Sequence, residues 1–227
     1  MSSGCTTCNG ACCREYVVHI SGRDAVTIAR AQALAIEAFV EIVRQPSPAV
    51  DGFALDDVSD VYSLALRRQP DGSCGLLIDL LDGSGRCGVY AQRPLTCAVF
   101  PLRLHHGSID IRDDVICEPS GRRITTVDFS AARTLLVRTA YEWNVYGRIV
   151  ERWNTARAGT GPTSATAYFG FITRAYDRID AALGEHAETI ALAVDHWVDA
   201  IPDAAVAAAR HTLDASLTIA LQSLTLL

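Results

Sequence analysis

The stretch Cys5-Thr6-Thr7-Cys8-Asn9-Gly10-Ala11-Cys12-Cys13 places four thiols within nine residues. Cysteine often serves as a small buried hydrophobe, but a polar, glycine-containing segment has no core of its own for four of them to fill. Ligation is therefore the natural reading. The Cys5-x2-Cys8 pair has the spacing with which a tight turn lets two thiolates grip one metal. Cys12 and Cys13 are more demanding. Adjacent side chains diverge, so holding one mononuclear ion with both would strain the backbone, whereas a polynuclear cluster or two neighbouring sites takes them more easily. The stretch predicts an irregular N-terminal half that folds around a metal centre, and it favours iron-sulfur over a single zinc.

Outward from this stretch, the remaining thiols are Cys74, Cys87, Cys97 and Cys117, so all eight cysteines lie in the first 117 residues. Soft thiolates suit both zinc and iron-sulfur, and four are the usual complement of a 4Fe-4S cluster. Eight would serve two clusters, or one cluster with the other thiols structural or on zinc, and the pattern does not partition them. The candidate ligands are thus Cys5, Cys8, Cys12, Cys13, Cys74, Cys87, Cys97 and Cys117. Among the six histidines, His19 lies nearest the cluster and His105-His106 falls on an expected hairpin tip. Each is a possible ligand, set against the commoner role of a solvated or hydrogen-bonded histidine.

Composition bounds the rest. The 227 residues are 49% hydrophobic and 20% charged, enough for one substantial core or two small ones. A net charge of -6 argues against a nucleic-acid partner, because phosphate binding needs a concentrated positive surface. No basic region followed by an apolar run opens the chain, and no stretch is apolar for ~20 residues without charge, so neither export nor membrane insertion is expected. A cytoplasmic, reducing location follows, where cysteines serve as ligands or reactive thiols more often than as disulfides.

The pattern predicts a mainly α protein with a cysteine-rich region over 1–125 and a helical region over 126–227 packed on it. After Tyr16-Val17-Val18-His19-Ile20, a strand-like run, Ser21 has the chemistry of a helix cap, with Asp24 at the third helical position. Apolar residues at Val26, Ala29, Ala33, Ile36, Val40 and Val43 then predict one helix ended by Pro46 and Pro48. Asp51, Asp56, Asp57 and Asp60 read as a solvated loop, since they lack the alternation and closing Glu of a calcium site. Residues 61–69 read as a strand, Pro94 to Pro101 as a short helix carrying Cys97, and Leu102-Arg103-Leu104 with Ile109-Asp110-Ile111 as a hairpin that brings Cys117 back. Beyond residue 128 four helices are expected: one over 132–153, one from Ser164 to a Gly184 cap, one over 185–200 and one from Pro202. Residues 213–227 read as amphipathic helix. The loop at Gly159-Thr160-Gly161 lacks the Lys and strand-to-helix context of a phosphate loop and reads as a turn.

The order C-x2-C-x-G-x-C-C, a lone Cys, C-x2-Y-x2-R-P-x2-C-x3-P and a last Cys resembles the YkgJ-type zinc- or iron-chelating cysteine-cluster family. Here it is carried by Cys5, Cys8, Gly10, Cys12, Cys13, Cys74, Cys87, Tyr90, Arg93, Pro94, Cys97, Pro101 and Cys117. Two positions depart from it: Ala98 stands where the family often has Arg, and Gly75-Leu76-Leu77 replaces an aromatic. The resemblance implies binding of iron-sulfur or zinc. It also implies a relation to a flagellin lysine-N-methylase with a 4Fe-4S cluster, which makes group transfer or redox modification of an amine or amino-acid substrate conceivable. S-adenosylmethionine would then bind without a recognisable glycine motif. Arg93 would either offset thiolate charge and anchor an acidic substrate or hold the Tyr90 turn by bonds to carbonyls. Tyr141, Trp143, Tyr146, Trp153, Tyr168 and Phe169 would line a pocket or, as their helical spacing favours, form packing core. The alternatives are a zinc-binding adaptor without catalysis and an electron-transfer partner.

Overall fold

The computed structural model describes residues 10–45, 52–56, 60–105, 108–112, 116 and 129–184. Cys5, Cys8, Cys117, His106, Asp51 and Asp57, and the helices expected beyond residue 184, lie outside the described residues. The chain divides into two compact units, Met1–Glu41 with Leu64–Thr139, and Ile42–Ser63 with Ala140–Leu227. The second unit takes in 42–63, a piece of the cysteine-rich half of the sequence.

The first unit begins with helix α1, Ala11–Glu15, entered from Gly10 at φ 76°, a left-handed conformation that glycine adopts without a Cβ clash. Helix α2, Gly22–Gln32, starts as expected. The Ser21 side chain accepts from the Asp24 N–H, and the Asp24 carboxylate accepts from the Ser21 N–H, which closes a capping box. Its inner face buries Ala25, Val26 and Ile28.

The expected continuation of that helix to Val43 is not found. α2 stops at Ala33, which turns left-handed at φ 52°. A short 3-10 turn at Ile36–Ala38 leads into strand β1, Val40–Arg44. Val40, Ile42 and Val43 are β-branched, and strand β2, Tyr62–Leu66, is there to pair with them, so tertiary pairing overrides the helical spacing. β2 also meets the run at 18–20: the Ile20 N–H donates to Leu64 O at 3.0 Å and the Leu66 N–H to Val18 O at 2.9 Å.

Two hairpins follow. Strands β3, Leu77–Asp79, and β4, Gly85–Cys87, pair antiparallel with Leu77 opposite Cys87. The sequence reading did not separate this hairpin, whose turn is built on Asp82 and on Gly83 at φ 80°. Helix α3, Leu95–Val99, carries Cys97, and strands β5, Leu102–His105, and β6, Ser108–Ile111, form the expected hairpin.

The long helices are α4, Phe129–Arg157, and α5, Ala165–Gly184, with Gly159 and Gly161 in left-handed turns between them. In the second unit Trp153 and Tyr168 are fully buried, with Tyr146 and Phe169 nearly so. These rings are core rather than pocket walls. Phe53 stacks on Tyr168 with centroids 3.7 Å apart, and the Trp153 indole N–H donates to Ala54 O at 2.7 Å. Asn154 pins the same segment from both sides, donating to Gly52 O and accepting from the Ala54 N–H. Asp60, expected in a solvated loop, pairs with Arg44. No helix among the described residues is long and apolar enough to cross a membrane.

Candidate metal centre

Four separate pieces of chain bring thiols to one place in the first unit. The one-turn helix α1 presents Cys12 and Cys13, and two hydrogen bonds stitch it to the segment around Cys74. The Cys74 N–H donates to Cys13 O at 2.7 Å, and Arg68 Nη2 donates to Arg14 O at 2.9 Å. Cys74 is fixed further by the Gln69 amide on its carbonyl and by the Gly75 N–H, which donates to Arg67 O at 2.7 Å. Cys87 ends β4, so the hairpin that the sequence reading missed delivers it. Cys97 comes from α3.

These five cysteines border one cavity of about 180 Å³. At ~10–15 Å³ for each group the size of water, it has room on the order of a dozen such groups. Tyr16, Val17, Val18, Leu66, Leu77 and Phe100 make much of the remaining wall apolar, and Arg93 and Arg112 are its cations. Among the described residues no carboxylate lines it.

The thiols act on one another electrostatically. Cys13 is pushed far above the ordinary thiol range, first by its hydrogen bond with Cys12, then by burial and by the charge of Cys12, Cys74 and Cys97. Burial raises Cys97 most, with Cys12, Cys87, Cys74 and Asp24 adding to it. Burial also raises Cys74. Thiolates crowded this way need a cation among them, so the donor set fits a positively charged metal centre.

One expectation changes. The Cys12 and Cys13 sulfurs do not diverge but sit 3.9 Å apart. That is near the ~3.8 Å edge of a tetrahedral site with ~2.3 Å metal-sulfur bonds, so the two could share an ion. Among the described residues, however, no three His, Cys, Asp or Glu side chains form a group able to hold one ion. The five thiols are spread around the wall rather than aimed at one point.

Of the other residues singled out in the sequence, Tyr90 and Arg93 line the cavity, with the Arg93 guanidinium 4.4 Å over the Tyr90 ring. No bond from Arg93 to a backbone carbonyl is present among the described residues, so it stands as a cation stacked on an aromatic face. His19 pairs through its backbone with Ala65 and does not line the cavity. His105 is in β5 opposite Ser108.

Sequence reasoning missed Arg112, Tyr16 and Phe100. The hairpin register held a signal for the first. Leu102 faces Ile111, so the next residue lies beside Pro101 and the helix that carries Cys97. Indeed the Arg112 N–H donates to Pro101 O at 3.0 Å.

The family CxxCxxCC, described as "Putative zinc- or iron-chelating domain", matches residues 4–118, just over half of the chain. Its name spells two residues between the second and third cysteines, where this chain has Asn9, Gly10 and Ala11. No curated protein and no solved structure matches the chain. With five of its cysteines gathered on one cavity, the chain belongs to the CxxCxxCC family of zinc- or iron-chelating domains.

Proposed function

We propose that the first unit holds an iron-sulfur cluster of the 4Fe-4S kind and that the protein is an enzyme of group transfer or redox modification acting on an amine or amino-acid substrate. The observation that carries the cluster is the cavity itself. Five thiols spread around about 180 Å³ suit a centre in which separate irons each take a thiolate, whereas one ion bonded at ~2.3 Å draws its ligands to a single point. Under this reading the cluster takes its thiolates, at most four, from among Cys12, Cys13, Cys74, Cys87, Cys97, Cys5, Cys8 and Cys117, and the others serve a second centre or the structure.

When bound, such a cluster supplies an electron donor and acceptor and, where one iron lacks a thiolate, an open coordination position. The chain's own residues do the rest. The apolar wall from Val17 to Leu77 limits water. Arg93, over the Tyr90 ring, presents a fork that matches a carboxylate, which supports an amino-acid substrate. The enzymatic class itself rests on the family resemblance.

Anaerobic purification with iron, acid-labile sulfide and zinc analysis tests the cluster. Iron and sulfide in equal amounts are expected, and stoichiometric zinc without sulfide would remove the proposal. Titration with S-adenosylmethionine tests the methyl-transfer branch: a change in the cluster's visible spectrum is expected, and no binding removes it.

A second reading has its own observation. The 3.9 Å between the Cys12 and Cys13 sulfurs fits two ligands of one zinc, which would make the unit a structural or adaptor module. The same metal analysis decides between the two.

A further inference from the structure

Helix α3 lacks the means to cap itself. The residue at its N-cap is Pro94, whose side chain makes no capping hydrogen bond. The first amide of the helix, Leu95 N–H, would therefore be an orphan donor. It is met from 71 residues away in sequence: Asp24 Oδ1 accepts it at 3.0 Å. The other oxygen of the same carboxylate accepts from the Ser21 N–H at 3.0 Å and from the Ser21 hydroxyl at 2.9 Å. Asp24 is 5% exposed and Ser21 1%, so water does not replace these bonds.

A buried acid beside thiolates is electrostatically adverse, and Asp24 does add to the charge that opposes ionisation of Cys97. Its retention there needs a geometric reason. Both oxygens are used, one for each helix, and the second helix is the five-residue turn that carries Cys97 into the cavity. A helix so short has little internal bonding to hold its own orientation.

We propose that Asp24 is a positioning residue of the metal centre, a bracket that joins the cap of α2 to the first amide of α3 and so sets the Cys97 thiol. The inference rests on the reading that these cysteines bind metal. It does not depend on whether the metal is an iron-sulfur cluster or zinc.

The test is Co2+ titration of the metal-free full chain, read by the thiolate-to-cobalt charge-transfer intensity, with thermal unfolding measured alongside. Asp24→Asn keeps the shape but offers one acceptor oxygen where two are used. Leu95→Pro removes the donated N–H, along with the half-buried leucine side chain, at a first helical position that proline favours, and it leaves the α2 capping box in place. Both should lose the share of one thiolate, about a quarter of the intensity for a four-thiolate site, as Cys97→Ser does. Ser21→Ala, which removes the α2 cap hydroxyl and its bond to Asp24 Oδ2 but leaves Oδ1 on the Leu95 N–H, should lower the unfolding temperature and keep the intensity.

Full intensity in both Asp24→Asn and Leu95→Pro would overturn the proposal, leaving Asp24 as a cap of α2. Full intensity in Cys97→Ser would overturn it too, since Cys97 would not be a ligand. If the wild type bound no Co2+, the metal-site reading would fall with it. Normal Co2+ spectra in a protein that purifies without iron or sulfide would remove the iron-sulfur reading and leave the bracket standing.

Discussion

Replacing Gly75 by Ala should disturb both the fold and the metal centre, and the size of the effect follows from one contact. A Cβ built at Gly75 lies 2.8 Å from the Arg67 carbonyl oxygen, against the 3.4 Å at which ordinary contact begins. The difference, 3.4 less 2.8, is 0.6 Å that some atom must yield. Arg67 is poorly free to move, because its N–H donates to Phe39 O at 2.8 Å and its carbonyl accepts the Gly75 N–H itself at 2.7 Å. The relief must open that second bond, which costs about 1–3 kcal/mol for a backbone pair left unmet. For a chain of this length that is a fall of roughly 2–4 °C per kcal/mol in unfolding temperature.

The neighbouring Cys74 should move with it. Metal-sulfur distances tolerate about 0.2 Å, so a shift of several tenths at Cys74 would lower metal content as well. Thermal unfolding and metal analysis of the purified variant check both. Gly159→Ala is the control: unlike Gly75 it sits at positive φ, at 78°, but nothing lies within 4 Å of its Cβ, and it should cost some stability while keeping all metal. Wild-type metal content together with an unchanged unfolding temperature in Gly75→Ala would refute the reasoning.

Further predictions follow from the same geometry. Because the Cys13, Cys74 and Cys97 thiols are raised in the fold, they hold protons that a metal must displace. Apparent Co2+ affinity should therefore climb with pH by up to about tenfold per pH unit for each proton released, and a flat profile would contradict this. The same shifts set the stability of the metal-free protein. The unfolded state loses its thiol protons first, near pH ~8.5, so stability should be full below that pH and fall as pH rises above it. Metal-loaded protein should lack the fall, as thermal melts across pH would reveal. In the second unit, Trp153→Ala removes a fully buried indole and its bond to Ala54 O. It should cost about 3–5 kcal/mol in denaturant unfolding. Tyr90→Leu removes the ring beneath Arg93 and should cost about 0.5–1 kcal/mol, with little change in metal content.

Several elements were readable because their signals are local. The Ser21 and Asp24 pair forms a capping box within four residues, and α4 and α5 repeat their apolar positions turn after turn with glycines between them. Only two residues separate the strands of the β5–β6 hairpin. By contrast, the stretch at Val40 and Val43 satisfied a helical period and yet is a strand, because a partner at Tyr62–Leu66 was available. The β3–β4 hairpin escaped notice since its strands are three residues each, too short for alternation to register.

The candidate site divides along the same line. Eight thiols, their crowding at the N-terminus and the absence of cysteine beyond residue 117 sufficed to name the kind of chemistry, because the affinity of sulfur for soft metals belongs to the residue and not to its surroundings. Only the folded chain decided that Cys12, Cys13, Cys74, Cys87 and Cys97 share a wall, that Arg112 joins Arg93 there, and that Asp24 reaches from one helix cap to the first amide of another. Those contacts join residues dozens of positions apart. They are set by strand register and by the need to satisfy buried donors, and neither is written in any single window of sequence.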